Sequence, residues 1–570
     1  MTLAGPSVVP TLWRTRTPAE TPGTLVERVA AARGGVYDPR RTPGALASIA
    51  PPERLADMEI AADRLAEAIR RDDPILIHGD YDVDGSTGTA ILLDLCRTAG
   101  SRHATGWIPD RREHGYGLSE ASLAVVQAQR PAVVVTVDCG IQDHGYAARM
   151  EALGSAVIIT DHHLPSGDLP TCLARINPNR PDDRSGTPYL AGCTVAWKLA
   201  WAAAQRLSGG SQVRDDLRAS LMRSLGLVAI GTVADCVPLV GENQDLVARG
   251  LQILNDSRDP YMDAFRTALD LDEIQERDLG WRIGPVLNAG GRLSSAMRNL
   301  DILASRDPHL VRRSVRDAVA ENTRRKHITQ DLVDRCVQLV ERMTRDPQDP
   351  IVLADPGFHA GVVGIAAGRL AERFAVPAAV IALDPVTGIG KGSLRSAGRV
   401  HLAQALTACA GTVLRGGGHA AAAGITIQSD RVAAFTRAFA AAVRDQGHPD
   451  RGRHVVMIDA GADLDECDLV TVRELDRLGP FGQGNPVPTL ALTVTIDEVR
   501  PLGSKHFVMI DVHDATGTGR LKVIDGRTIP AGVRAGATLE VAVEVSAGSF
   551  RGTPQVDLLA RAWREPLVAF

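Results

Sequence analysis

Paired cysteines, aromatic rings and surplus positive charge are what this 570-residue chain has little of. Its eight cysteines (Cys96, Cys139, Cys172, Cys193, Cys236, Cys336, Cys409 and Cys467) include no C-x-x-C pair. That argues against a zinc knuckle and a disulfide framework, and it fits a reducing compartment. Lys and Arg number 63 against 68 Asp and Glu, a net charge of −5. A uniformly basic coat for nucleic acid is therefore excluded, and any such contact needs positive charge concentrated in a groove. Apolar runs such as Ala132 to Val137 fall far short of the ~20 residues a membrane helix needs. Met1 to Trp13 holds no basic stretch followed by a long apolar one, so no signal peptide is expected. These absences predict a soluble, cytoplasmic protein with no membrane segment.

What is present is a globular composition, 44% hydrophobic and 23% charged, with enough apolar surface to build cores. At roughly 150 residues per domain, the length predicts three to four domains. Residues 1–50 are rich in Pro, Thr, Gly and Arg and read as a loosely structured N-terminal extension. From Pro51 onward, helical and strand patterns alternate. Leu55 to Ile69 has helical spacing, Pro74 to His78 reads as a short buried strand, and Thr87 to Arg97 returns to helix. Ala132 to Val137 and Ala156 to Thr160 read as two further buried strands. Strands separated by helices predict βαβ units and an α/β fold with a doubly wound, mostly parallel sheet over residues 51–305.

Residues 306–346 read as a connecting helical segment carrying Arg312, Arg313, Arg316, Arg324, Arg325 and Lys326. This charge run is either a solvated face or the lining of a phosphate-bearing groove. A smaller α/β unit is expected over 347–451, with a glycine-rich stretch at 416–424. Over 452–570 the pattern alternates apolar and polar, at Leu492 to Val499, Phe507 to Val512 and Thr538 to Val545, which predicts a small β-barrel.

The chemistry concentrates at strand ends. His78-Gly-Asp-Tyr-Asp-Val-Asp-Gly85 sets Asp80, Asp82 and Asp84 directly after a buried strand, where open α/β sheets bind ligands. Anions this close repel unless a cation neutralises them. A plain Asp-rich turn is the bland alternative. An EF-hand is disfavoured, because Ile91 stands where its bidentate Glu would fall. The next two strands end in Asp138 and in Asp161-His162-His163, and Asp235 stands inside the apolar run Gly231 to Leu239. Oxygen ligands with one or two imidazoles favour Mn²⁺ or Mg²⁺, and this many carboxylates suit two ions clamping a phosphoryl transfer.

The blocks H-G-D-Y-D-V-D-G, V-D-C-G, D-H-H and G-T-V-A-D-x-x-P-L resemble the successive motifs of the DHH phosphoesterase superfamily. Gly284 to Arg292, His359 to Ile365, Gly416 to Gly424 and Pro480-Phe-Gly-Gln-Gly-Asn-Pro486 resemble the later motifs of its bacterial RecJ group. The ordered resemblance covers roughly residues 50 to 570 and implies a DHH domain, a DHHA1 domain and a C-terminal OB-fold. It implies a 5′-to-3′ exonuclease on single-stranded DNA in repair and recombination, dependent on two Mn²⁺ or Mg²⁺ ions. Carried over by position, the metal ligands would be Asp82, Asp84, Asp138, His162 and Asp235, with Asp138 bridging and either Asp80 or His78 completing one shell. His163 would contact the scissile phosphate or orient a ligand.

Arg111, Arg292, Ser393, Arg395 and His419 resemble positions that grip substrate phosphates, which suits the planar fork of Arg and the bare backbone of Gly416 to Gly418. In the barrel region Phe507, Phe550 and Trp563 are candidates for stacking on bases or for the core. The resemblance further implies a helicase and a single-strand-binding protein as partners, and a monomer is expected. The chain ends soon after the barrel pattern, so no further C-terminal domain is expected. Departures from the group are Cys139 where some relatives have Asn, Phe358 where Trp is usual, and Leu394 within Gly392 to Ser396. They are expected to change local packing only. Rival readings are a phosphodiesterase on short oligoribonucleotides or cyclic dinucleotides, disfavoured by the extra β-domain, and a metal-free replication scaffold, disfavoured by the retained carboxylates.

Overall fold

The alternating segments fold into two contact units in the computed structural model, which describes residues 11–16, 22–111, 113–143, 145–293, 295–398, 400–448, 450, 452–502, 507–524, 526, 529–530, 532–550 and 553–565. One unit takes Arg40–Arg324 with Gly479–Pro486. The other takes Met1–Pro39, Arg325–Leu478 and Val487–Phe570, and so includes the first elements of the chain, β1 (Thr11–Thr15) and α1 (Leu25–Ala32).

The unit that begins at Arg40 opens with α2 (Met58–Arg71), β2 (Ile75–Gly79), α3 (Val83–Thr98), β3 (Ala104–Trp107) and α4 (Glu120–Gln129). It continues through β4 (Val133–Val137), α5 (Tyr146–Ala152), β5 (Ala156–Thr160) and β6 (Ala174–Ile176). Its five strands are all parallel, in the order β3-β2-β4-β5-β6. Every residue of β2 and β4 is buried, which explains their unbroken aliphatic runs. Ile75, Ile77, Val133 and Val135 face one core, while Leu76, Val134 and Val157 face a second with Leu123 and Met150. The chain leaves β2 to one side for β3 and returns to the other for β4. The topological switch point therefore lies at the carboxyl ends of β2 and β4.

Helices α6 (Gly192–Ser208), α7 (Asp215–Ala234), α8 (Glu242–Asp256), α9 (Pro260–Leu269), α10 (Glu276–Asp278), α11 (Gly284–Leu293) and α12 (Arg298–Leu303) complete this unit. Helix α7 corrects the expectation that no segment has the length and apolarity of a membrane helix. It has both, but most of it is buried against α3, α6 and α8, as a core helix. Helix α13 (Pro308–Arg342) follows. Its Arg312, Arg313, Arg316, Arg324 and Lys326 are exposed, as a solvated face would have them.

In the other unit, β7 (Ile351–Asp355), α14 (Val363–Phe374), β8 (Ala378–Leu383), β9 (Ile389–Arg395), α15 (Leu402–Ala408), β10 (Arg415–Gly418), β11 (Ala422–Gln428) and α16 (Val432–Asp445) form the smaller α/β layer. Its sheet runs β10-β11-β9-β8-β7, with only β7 and β8 parallel. The glycine-rich stretch is thus an edge hairpin, with Gly416 opposite Ile425. Then come β12 (His454–Ile458), β13 (Ala460–Gly461), α17 (Leu469–Asp476), β14 (Thr489–Leu502), β15 (Phe507–His513), β16 (Thr518–Val523), β17 (Thr538–Phe550) and β18 (Thr553–Arg564). The ring β14-β15-β16-β18-β17 is closed by β14 pairing with β17, a five-stranded barrel.

Two expectations about organisation are corrected. Residues 1–50 are not a loose extension where described. β1 pairs in parallel with β12, with Thr11 opposite His454, and α1 sends Leu25, Val26 and Val29 into the barrel core. A reciprocal cap between Thr24 and Glu27 sets where α1 starts. Residues 479–486, expected with the barrel, make their contacts with the unit that begins at Arg40. The contacts run from Leu239 N–H to the Gln483 carbonyl at 2.7 Å and from Gln244 Nε2 to the Gly479 carbonyl at 3.0 Å.

Candidate metal centre

The strand register builds the site. Gly79 lies opposite Val137, Val137 opposite Thr160, and Thr160 opposite Ile176. The ladder runs one residue further: Asp80 N–H donates to Val137, Asp138 N–H to Thr160 and Asp161 N–H to Ile176, at 2.9–3.1 Å. Three aspartates therefore stand in a row across one edge, at the strand spacing of about 4.8 Å. Asp82 caps α3, accepting from Gly85 N–H at 3.0 Å, which places Asp84 in the first helical turn. Asp84 accepts two backbone N–H bonds from the start of α6, Gly192 at 2.6 Å and Cys193 at 2.8 Å. Asp235 follows the last turn of α7.

These groups converge. His162 Nε2 lies 3.1 Å from Asp138 Oδ1, 3.5 Å from Asp235 Oδ2 and 3.9 Å from Asp84 Oδ2. Ligand atoms fall within 4.8 Å of one another in three sets: Asp80, Asp82 and Asp138; Asp84, His162 and Asp235; Asp138, His162 and His163. Asp138 belongs to two of them. Asp80 Oδ1, Asp138 Oδ1 and His162 Nε2 are buried and have no hydrogen-bond partner. Unpaired buried acceptors are costly, so atoms left this way fit a divalent cation. Burial first, and then the neighbouring carboxylates, push Asp80, Asp82, Asp138 and Asp235 above the usual carboxylate range. A cation reverses that penalty.

The backbone is bent to serve this cluster. Asp138 has φ +62, a left-handed conformation uncommon outside glycine. Its carbonyl accepts from the Tyr116 hydroxyl at 3.2 Å. A Cβ on Gly192 would lie 2.6 Å from Asp138 Cβ, so only glycine lets α6 approach this closely.

His78 is corrected as a metal candidate. Its ring is fully buried, with Nε2 at 2.8 Å from Ser122 Oγ, Nδ1 at 3.8 Å from Cys139 Sγ, and Trp107 packed 4.8 Å away. Burial lowers its pKa to about 4, so it is a neutral core imidazole. Asp161, expected as one of the strand-end carboxylates, serves instead as a hydrogen-bond partner of the histidines, and Tyr116 was not singled out. Asp161 accepts from the backbone N–H of Ile141, His162 and His163 and from His163 Nδ1 at 2.8 Å. Tyr116 OH is 3.0 Å from the same Nδ1. The position of Tyr116 only five residues after Arg111, in Pro109-Asp-Arg-Arg-Glu-His-Gly-Tyr-Gly117, was the available signal.

Arg111 stacks its guanidinium 4.9 Å from the Tyr81 ring, beside the cluster. The side chain of Arg292 lies outside the described residues, although Gly291 before it approaches the Tyr81 carbonyl. In the other unit, Ser393 and Arg395 sit together against Gly364 at the start of α14, and His419 is exposed at the tip of the β10–β11 hairpin. Among the barrel aromatics, Trp563 is half-buried and packs on the core. Phe507 is half-buried, and the side chain of Phe550 lies outside the described residues.

Family models match at three places: the DHH family, N-terminal domain, over residues 74–232; the DHHA1 domain over 348–445; and the RecJ OB domain over 458–562. Fold and site together define a metal-dependent phosphoesterase of the DHH class. The single-stranded-DNA-specific exonuclease RecJ of Dickeya dadantii is 36% identical over 521 residues, covering 88% of this chain and 89% of that one. RecJ of Thermus thermophilus in complex with Mn²⁺ superposes with TM-score 0.79 at 27% identity, over 98% of this chain and 80% of that one. The same protein with Mg²⁺ gives 0.74 at 25% identity, over 98% and 79%. The chain belongs to the RecJ family, and its cofactor is a divalent metal, Mn²⁺ or Mg²⁺.

Proposed function

We propose that this chain degrades single-stranded DNA from the 5′ end, releasing mononucleotides in repair and recombination, and that the clustered residues hold two ions. Asp80, Asp82 and Asp138 would hold one, and Asp84, Asp138, His162 and Asp235 the other, with Asp138 shared. The observation that carries the reading is the convergence of His162 Nε2 on three carboxylates from three separate elements, with buried atoms lacking partners. When bound, paired divalent ions supply a lowered water pKa and neutralise the phosphoryl oxygens.

The chain's own groups do the rest. Asp84 is fixed by two backbone N–H bonds, and Asp138 by its strand-end ladder bond and Tyr116, so the cluster is set before substrate arrives. His163 donates its Nδ1 proton to Asp161, which turns Nε2 to the scissile phosphate. Arg111 is placed beside Asp80 for a phosphate fork, and Arg292, Ser393, Arg395 and His419 are assigned to further phosphates of the strand. Backbone contacts of this kind carry no base information, so sequence preference is slight and binding weakens steeply with salt.

The protein is read as a cytoplasmic monomer supplied with strands by a helicase and a single-strand-binding protein. Its eight free cysteines support the reducing compartment. The test is digestion of 5′- and 3′-labelled single strands, blunt duplex and short RNA, with and without Mn²⁺. Release of 5′ mononucleotides from single strands alone is expected, and Asp82→Ala is expected to abolish it while DNA binding persists. Equal digestion of short RNA would favour the oligoribonucleotide phosphodiesterase reading instead.

A further inference from the structure

One aromatic side chain is out of place by its burial. Trp281 is 79% exposed, although large aromatic rings are usually well covered. It sits in a π-helical turn, Leu279–Ile283, between α10 and α11, a geometry found often at functional sites. The next residue, Arg282, turns inward, donating to the carbonyls of Leu269 and Asp270 and pairing with Asp278. That anchor fixes the turn and leaves the indole outside.

The turn and the helix after it pack on the segments that carry two of the clustered carboxylates. A Cβ on Gly280 would lie 3.5 Å from Val233, and one on Gly284 would lie 3.3 Å from Ala234. Both neighbours belong to the last turn of α7, immediately before Asp235. At the far end of α11, a Cβ on Gly291 would lie 3.1 Å from the carbonyl of Tyr81, between Asp80 and Asp82. Arg277, four residues before Trp281 and so near the same helical face, is exposed. The other exposed side chains close by in sequence, Asp272 and Glu273, are polar. Asp270 is exposed as well, so the exposed stretch before the turn is charged, and a single exposed indole next to it suits one flat base better than an apolar protein surface.

We propose that Trp281 is a stacking platform for a base of the single-stranded substrate, with Arg277 beside it for the adjoining phosphate. A ring face next to a cation is what sequence-tolerant single-strand binding uses, because every base offers a π-face. This inference rests on the exonuclease reading above and adds a contact on the unit that holds the carboxylate cluster.

The experiment uses the full chain with Mn²⁺ and 5′-phosphorylated 20-mers, in which a single abasic residue is moved stepwise from the 5′ end. Wild type, Trp281→Ala and Trp281→Phe are compared by KM. Trp281→Ala is expected to raise KM about tenfold, the loss of one stacked base, and Trp281→Phe to recover most of that loss. In wild type an abasic residue at one position is expected to raise KM by a similar factor, and in Trp281→Ala the same abasic residue adds nothing. A Trp281→Ala KM within twofold of wild type, or an abasic penalty that persists unchanged in Trp281→Ala, overturns the stacking assignment while wild-type digestion upholds the exonuclease reading. Wild type that fails to digest single strands overturns that reading and this inference with it.

Discussion

At the carboxyl edge of the parallel sheet, Asp80, Asp84 and Asp138 are at most 3% exposed and face one another. On the barrel the charges lie on the surface in opposite pairs: Arg520 with Asp511, Arg561 with Glu544, Lys522 with Asp557. The first region stores uncompensated negative charge where water cannot screen it, and it becomes favourable only when a cation arrives. The second cancels each charge locally, in solvent, where a pair is worth little. A single side chain can therefore decide the outcome at the sheet edge, whereas on the barrel no one residue does.

The contrast can be broken most directly at Asp138. Asp138→Asn keeps a residue type that tolerates φ +62 but removes the carboxylate shared by two ligand sets. Its kcat is expected to fall at least about 10³-fold, while the Tm in EDTA stays equal to or above that of wild type, because one of several repelling anions is gone. A lower Tm in EDTA would mean that the acidic cluster is not under tension. Gly192→Ala sharpens the same point without touching a ligand. The new methyl would sit 2.8 Å from Asp138 Oδ1, and a displacement of about 1 Å costs on the order of 10²-fold in rate. Steady-state kinetics with Mn²⁺ titration reads this, and unchanged kcat would show that α6 yields instead. The smallest effect belongs to the barrel. Arg561→Ala breaks a 2.6 Å pair with Glu544 and is expected to cost under about 1 kcal/mol, measured by a double-mutant cycle in urea. A cost of several kcal/mol would erase the distinction between the two regions.

The strand-end carboxylates were readable before any coordinates because their motifs follow buried aliphatic runs, and parallel βαβ connections deliver such ends to one edge. The family resemblance overreached at His78, the fourth residue of β2. A residue inside a strand points into a core, and His78 meets Ser122 and Trp107 there. The N-terminal segment was misread for the opposite reason. β1 has only five residues, and its hydrogen-bond partner lies more than four hundred positions away, so nothing local announces the pairing. Helix α1 likewise has a clear cap but finds its apolar partners in the barrel. The docking of Pro480–Pro486 beside the Asp235 turn belongs to the same class. Gly482 and Gly484 are needed because Leu239 and Pro238 occupy the space their Cβ atoms would take.

Local pattern therefore determined the ingredients: the apolar strands, the acids and imidazoles that terminate them, and the ordered blocks shared with a known family. Those are properties of short windows, governed by periodicity and turn chemistry. Tertiary structure alone decided that His78 turns into the core, which aromatic stays in water, and which distant segment completes each unit. Such outcomes depend on register and packing between residues hundreds of positions apart, and no window of sequence contains both partners.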